Sequence, residues 1–333
     1  MIATVKDFII KFLWIFIPLL LIGIVLNLII GEVTIPLKAL FDPTNTYRVI
    51  IMDIRLPEVL ACLVVGSNLA VAGAVMQAVF RNPLAEPYVT GTASGGALFG
   101  GALLGLLTYA LFKVPLISPI ILMPILSFLG ALLATAIVVI FGRGYWLSLI
   151  LAGIAVSILF SSIVMILDTY LLTIIPTLPA IVYLLFGTVS GVNWGEDIVM
   201  LSVSLPILVY IVMSSHEINL LMMSDEVAQA GGVSPRAFRN LLIALVGLVT
   251  AVSVSFTGII GFVGLMTPHI TRLLISSSDN SRVIPLSVIS GSTIMLYANV
   301  ASKVLVPGVV MPITAITSLF GVPVLLILLR GWS

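Results

Sequence analysis

The stretch NLLIALVGLVTAVSVSFTGIIGFVGLMTPHIT, Asn240 to Thr271, runs for 32 residues without a charged side chain. A bilayer core about 30 Å thick takes roughly 20 helical residues at ~1.5 Å each. The stretch is therefore too long for one straight crossing and short for two. How it divides decides which loops share a side of the membrane.

Outward from it the chain keeps the same character. Of 333 residues, 61% are hydrophobic and 8% charged, against about 45–50% and ~25% in a soluble domain. The apolar residues, about 203 of 333, suffice for roughly ten crossings of ~20 each. Apolar runs lie at Phe8–Ile30, Val59–Phe80, Tyr88–Phe112, Leu116–Phe141, Tyr145–Leu167, Ile198–Met213, Leu241–Thr257, Ile259–Ile275, Ile284–Ser302 and Val309–Leu329. The first has the basic start of a signal peptide, Lys6 preceding it, but exceeds the ~7–15 apolar residues of a cleaved one. Leu28-Ile29-Ile30 also offers no small-residue cleavage site, so the run reads as a retained span.

Positive charge orients the spans, because Lys and Arg concentrate on the cytoplasmic side. Ten spans with the N-terminus inside place nine of the 14 basic residues in the cytoplasm: Lys6, Lys11, Arg81, Arg143, Arg236, Arg239, Arg272, Arg282 and Arg330. Lys38, Arg48, Arg55, Lys113 and Lys303 then lie outside. An eleventh span at 169–195 reverses the score to five against nine, and fusing Asn240–Thr271 into one span gives seven against seven. The chain thus reads as an all-α polytopic membrane protein of about ten transmembrane helices, both termini cytoplasmic. One transmembrane domain covers 1–333, with an external short helix or re-entrant segment at 169–195 and a cytoplasmic loop at 214–240.

Several functions are disfavoured. A net charge of +1 offers nothing to a nucleic acid. The single cysteine, Cys62, excludes an internal disulfide framework and a cysteine metal cluster. The spans hold almost no acids, Asp168 lying at a span end, which disfavours a carboxylate-driven carrier, although backbone carbonyls can bind Na⁺. A chain with two histidines and few buried carboxylates lacks a catalytic constellation. No Gly-Lys pair occurs, so there is no phosphate-binding loop. If the chain pumps, another subunit supplies the energy.

Small residues recur at helical spacing: Gly66, Ala70, Gly73 and Ala74 on one face, Gly96/Gly100 and Gly101/Gly105, then Gly258, Gly261 and Gly264. Such faces bring helix backbones together, either for plain packing or as a moving seam along a pathway. Asn68, Gln77 and Asn299 suit bonds to neighbouring helices, with substrate contact as the alternative. Pro268 frees backbone carbonyls and is expected to kink or end a helix. The adjoining His269 fits a structural hydrogen bonder better than a metal ligand. The scattered methionines read as filler.

The loop 214–240 carries local signals. Ser224 is placed to cap a short helix with Asp225 and Glu226 in its first turn, Gly231-Gly232 to stop it, and Ser234-Pro235 to start a second helix bearing Arg236 and Arg239. Two short extramembrane helices of mixed charge suit docking into a partner's groove; a solvated connector is the alternative.

Together these features resemble the permease subunits of ABC importers for iron-siderophores, haem and cobalamin, over nearly the whole chain. Arg55-Leu56-Pro57 looks like the family's RLPR start. Gly66, Ala70, Gly73, Gln77 and Asn82-Pro83-Leu84-Ala85-Glu86-Pro87 follow its G-x-x-LA-x-x-G…Q…NPLAxP run. Gly258-Ile259-Ile260-Gly261-Phe262-Val263-Gly264-Leu265 with Pro268-His269-Ile270 and Arg272 resembles its G-x-IGF-x-GL-x-x-PH-x-x-R signature. Pro312-Ile313, Thr317 and Gly321-Val322-Pro323 match its PIG…T…G-x-P ending.

The resemblance implies a type II importer permease in the cell membrane, paired as a homodimer or with a paralogous permease around a central pathway. It implies two cytoplasmic ABC ATPase subunits, which use the ATP and Mg²⁺, and an external substrate-binding protein; no cofactor and no metal is implied for this chain. Ser224, Asp225, Glu226, Ala228, Gly231, Gly232 and Arg236 match the ATPase-coupling segment. Asn82 and Leu84 match a cytoplasmic gate, to which Trp146 and Leu147 are added where some relatives have small polar residues. Arg55 and Lys303 match basic residues that dock the binding protein. Gly66, Ala70, Gly73, Gln77, Gly258, Gly261, Gly264, Pro268 and His269 fall to helix packing and the pathway. Three departures stand out: Glu58 where the family is often basic, Gly231 for the usual Leu, and Ser224 where Gly is common. The implied cargo is a metal chelate, with an oxyanion such as molybdate as an alternative within the family and an ion-coupled carrier outside it.

Overall fold

The computed structural model describes residues 5–31, 33–40, 47–103, 119–174, 187–306 and 309–330. Among them are α1 (Val5–Ile29), α2 (Leu56–Val79), α3 (Thr92–Gly96), α4 (Pro119–Gly142), α5 (Trp146–Ile174) and α6 (Trp194–Met213). Then come α7 (Ser215–Met223), α8 (Asp225–Ala230), α9 (Pro235–Thr257), α10 (Val263–Ile275), α11 (Asn280–Val304) and α12 (Ile313–Arg330). A π-helical turn, Ile50–Arg55, leads directly into α2, and another, Ala97–Leu103, continues α3.

Seven of the ten expected crossings are helices long and apolar enough to span a membrane. The other three differ. The expected crossing Tyr88–Phe112 is broken where it is described: a 3₁₀ turn at Pro87–Thr90, a left-handed Gly91 at φ 77°, the five residues of α3, then the π turn. Its apolar content suits a crossing, but glycine at 91, 95, 96, 100 and 101 weakens a regular helix. Gly105 and Lys113 lie outside the described residues. The eighth, α10, has 13 residues, about 20 Å of helix against a core of ~30 Å. The last, α12, begins at Ile313 rather than Val309.

The uncharged stretch divides in two, as the charge count requires. Helix α9 ends at Thr257, capped by Gly258 at φ 70°, ψ −167°, a conformation open only to glycine. Helix α10 restarts at Val263. Pro268 neither ends nor opens that helix but sits inside it. Of the segment 169–195, helix α5 claims the start, continuing to Ile174 past Asp168. Residues 175–186, with Pro176 and Pro179, lie outside the described residues. The end belongs to α6, which starts at Trp194 rather than Ile198 under an Asn193/Glu196 capping box.

The chain forms two compact units. The first comprises Met1–Ala74, Thr188–Ser215 and Ile260–Ser333. Within it α2 and α11 approach backbone to backbone: a Cβ on Gly66 would stand 2.5 Å from the Gly291 carbonyl oxygen. One residue on, the Ser67 and Ser292 hydroxyls are 2.9 Å apart. Helix α1 joins α11 through Asn27, whose amide donates to the Leu296 carbonyl at 2.9 Å and accepts from Asn299 at 2.9 Å. Asn68 donates to Ser204 of α6 at 2.7 Å. The polar residues Asn68 and Asn299 therefore do bond to neighbouring helices, as intramembrane amides must where water is absent. Gly73 packs on the Gly264 carbonyl, the group that would accept from residue 268 were it not proline.

The second unit comprises Val75–Gly187 and His216–Ile259. Gly95 and Gly130 meet backbone to backbone, Gly96 and Gly100 close on Ser127, and Gly247 of α9 closes on Thr135 of α4. Small residues here serve close packing.

Candidate functional site

The segment 214–240 holds three helices, not two short ones. Helix α7 fills its first half, α8 follows, and the helix begun at Ser234-Pro235 is the full 23-residue α9. Proline at the first helical position has no amide hydrogen to satisfy and no earlier carbonyl to strike, so α9 continues into the membrane unhindered. The short helix is built as its residues require. Ser224 Oγ accepts from the Val227 amide at 3.1 Å, and Asp225 and Glu226 occupy the positive first turn. Ala228 is fully buried. Gly231 caps the helix, and the Val233 amide returns to the Ala228 carbonyl at 2.9 Å. A Cβ at Gly231 would stand 2.6 Å from Leu220 Cδ1, the tip of a side chain that can turn aside, so nothing in the structure explains glycine in place of leucine there. Gly232 adopts φ 81°.

The two acids of α8 differ. Asp225 Oδ1 accepts from Arg81 Nη2 at 2.5 Å and from Arg239 Nη2 at 2.8 Å. Burial alone would raise its carboxyl, but the hydrogen bonds and charges of Arg239 and Arg81 hold it below the usual carboxylate range. Glu226 is exposed, and its carboxyl is lowered by its own backbone amide and by Ser224. Arg239 is fully buried and also donates to the Gly144 carbonyl at 2.5 Å. Arg236 is exposed, its guanidinium 4.2 Å above the Tyr145 ring.

The expected gate residues lie beside these arginines. Asn82 Oδ1 accepts from the Leu84 amide at 3.0 Å, an Asx turn, and Leu84 is 44% exposed. Trp146 and Leu147 open α5 and are exposed. Arg81, Gly144, Tyr145 and Arg239 went unassigned in the sequence. Their only hints are adjacency to the Asn82-Pro83 run and to Trp146, and one helical turn from Pro235.

In the first unit, the two expected docking cations are drawn inward. Glu58 Oε2 pairs with Arg55 Nη1 at 3.5 Å and with Lys303 Nζ, and all three side chains are at least nine-tenths buried. They line a cavity of about 280 Å³ with Ser190, Gly191 and Val33. The residue that departs from the family pattern thus neutralises one of two neighbouring cations, leaving the group at +1. Gly31 packs directly on the Arg55 guanidinium, leaving no room for a side chain. Asp197 is fully buried in the first turn of α6, both carboxylate oxygens without a hydrogen-bond partner among the described residues. The capping box Asn193…Glu196 is the signal that would have put it inside the helix.

Gly66, Ala70 and Gly73 line the contact faces of α2, and Gln77 is buried near its end. The Gly261 carbonyl accepts from Thr317 Oγ1 at 2.9 Å, fastening the loop before α10. His269 is buried within α10. Among the described residues no three His, Cys, Asp or Glu side chains gather as a metal site.

Seven helices long and apolar enough to cross a membrane, with an ion-paired segment at 214–240, define a polytopic membrane protein. The profile of the FecCD transport family matches residues 19–331, and the chain belongs to that family. It is 34% identical to the vitamin B12 import system permease of Yersinia enterocolitica over 316 residues, 93% of this chain and 90% of that one. Over the same shares it is 33% identical to the vitamin B12 import system permease of Yersinia pseudotuberculosis. A solved inward-facing structure classed with the metal-chelate type of ABC transporter superposes with a TM-score of 0.85 at 30% identity, covering 96% of this chain and 99% of that one. The chain is a multi-pass protein of the cell membrane with the ABC importer permease fold.

Proposed function

We propose that the chain carries a metal chelate, namely an iron-siderophore, haem or cobalamin, into the cytoplasm by alternating access. It works as one half of a permease pair, a homodimer or a heterodimer with a paralogue, with both termini cytoplasmic. Two ATPase subunits bind and hydrolyse ATP with Mg²⁺, and an external binding protein delivers the cargo. The carrying observation is α8: a short capped helix with Glu226 exposed and Asp225 bound back into its own unit, which suits a helix that enters a partner's cleft and reports its closure. The gate falls to Asn82, Leu84, Trp146 and Leu147. Arg55 and Lys303 serve docking as a buried, net-positive group held by Glu58 rather than as free surface cations. Similarity to vitamin B12 permeases supports cobalamin within the chelate class.

The test is uptake into liposomes holding the chain, its ATPase subunits and its binding protein. ATP-dependent entry of cobalamin, haem or a ferric siderophore is expected. Accumulation by this chain alone under an ion gradient would refute the proposal, and entry of molybdate instead would move the cargo to the oxyanions.

A further inference from the structure

We infer that Asp225 is a positioning residue that clamps α8 to two flanking segments, 81–84 and 144–147, so that movement of α8 reaches both at once. The inference rests on reading 214–240 as the ATPase-docking loop, and adds how that loop is mechanically connected.

Both guanidinium contacts of Asp225 fall on the same oxygen, Oδ1. Each arginine then makes a second bond elsewhere. Arg81 donates through Nε and Nη2 to the Leu221 carbonyl at 3.2 and 2.9 Å, satisfying a terminal carbonyl of α7. Arg81 itself sits at φ 50° immediately before Asn82, whose side chain closes the turn onto Leu84. On the other side Arg239 Nη1 donates to the Gly144 carbonyl at 2.5 Å, in the turn that opens α5 at Trp146. The Arg236 guanidinium stacked on Tyr145 fastens the same turn a second time.

One carboxylate therefore joins three segments far apart in sequence: Arg81 and Asp225 are separated by 144 residues, Arg239 and Gly144 by 95. Each arginine is thus held by a charge-assisted bond to Asp225 and by a second bond to a backbone carbonyl, and cannot swing away without losing both. A fully buried guanidinium also cannot surrender its carboxylate without a large desolvation cost. Shifting α8 must then carry the Asn82 turn and the Gly144 turn with it. Glu226, one residue along and exposed, has no part in this clamp and is free to face a partner.

The test uses the full complex in liposomes and reads uptake per ATP hydrolysed, normalised to assembled complex, together with amide hydrogen exchange at 81–87 and 142–147. Asp225→Asn is expected to lower uptake per ATP roughly tenfold, within the range of strong pairwise couplings, and to speed exchange in both segments. Adding Arg81→Gln is expected to cost little more, because the bond is already gone, and Asp225→Glu to restore most of the ratio. If Asp225→Asn fails to assemble, Arg81→Lys, which keeps the charge but loses the guanidinium bridge between Asp225 and the Leu221 carbonyl, is read the same way. Unchanged uptake per ATP with unchanged exchange overturns the clamp. The docking reading is tested apart from it: Glu226→Lys should weaken recovery of the ATPase subunits, and full recovery with that variant removes the docking reading whatever Asp225 does.

Discussion

Gly66 of α2 and Gly291 of α11 face each other so closely that a Cβ on Gly66 would lie 2.5 Å from the Gly291 carbonyl oxygen. The obstacle is backbone, which cannot turn aside as a side chain can. Gly66→Val should therefore push the helices apart and break the neighbouring Ser67–Ser292 pair, a loss at or above the ~1–3 kcal/mol of ordinary overpacking. The thermal midpoint of the detergent-purified protein measures it. Gly291→Val should cost a similar amount, and the double variant much less than the sum. Strict additivity would mean the two sites do not share this contact.

Removing Glu58 leaves two buried cations facing each other. Glu58→Gln should destabilise by about 3–5 kcal/mol, the usual cost of stranding a buried charge. Lys303→Met should cost less, since Glu58 keeps Arg55 at 3.5 Å. Chemical denaturation in mild detergent ranks the two variants, and the reverse order would place the main counter-charge elsewhere.

The Asp225 clamp has a defined acid limit. A carboxyl lowered by arginine partners contributes stability above its unfolded value, and loses it only as pH falls through the lowered folded value. With Asp225 below the usual carboxylate range, protection of α8 against proteolysis should stay level from pH 8 to about 5 and drop only below ~4. In Asp225→Asn that acid step should shrink to the part the lowered Glu226 carboxyl supplies. Loss of protection between pH 7 and 6 in the parent protein would point to another group.

Asp197 is the converse case, a fully buried carboxylate with neither oxygen bonded among the described residues. Asn has the same shape without the charge, so Asp197→Asn should raise the thermal midpoint or leave it level. A clear fall would reveal a cationic partner.

Local signals were legible and distant pairings were not. Ser224, Gly231-Gly232 and Ser234-Pro235 marked the ends of α8 and the start of α9, because caps and breakers act within one helical turn. The split at Gly258 followed from length and charge balance. Yet the sequence predicts a short second helix in the loop, since nothing at Asn240 marks where loop becomes span. The 88–112 run looked like a plain crossing because hydropathy does not distinguish an α-helix from 3₁₀ and π turns. The roles of Arg81, Arg239 and Glu58 depend on partners 144, 14 and 245 residues away. No periodicity encodes such pairs.

The bond between Asn27 and Asn299 joins residues 272 positions apart. At a synthesis rate of ~5–20 residues per second, about 15–50 s separate their emergence from the ribosome. Throughout that interval the Asn27 amide has only the Gly23 carbonyl of its own helix at 2.8 Å, and its side-chain oxygen waits for Asn299, while the second unit, complete by Ile259, has all its own chain in hand. The unit made of Val75–Gly187 and His216–Ile259 therefore has its whole chain before the other unit, whose N-terminal helix waits for residues after Ile260 to complete its contacts.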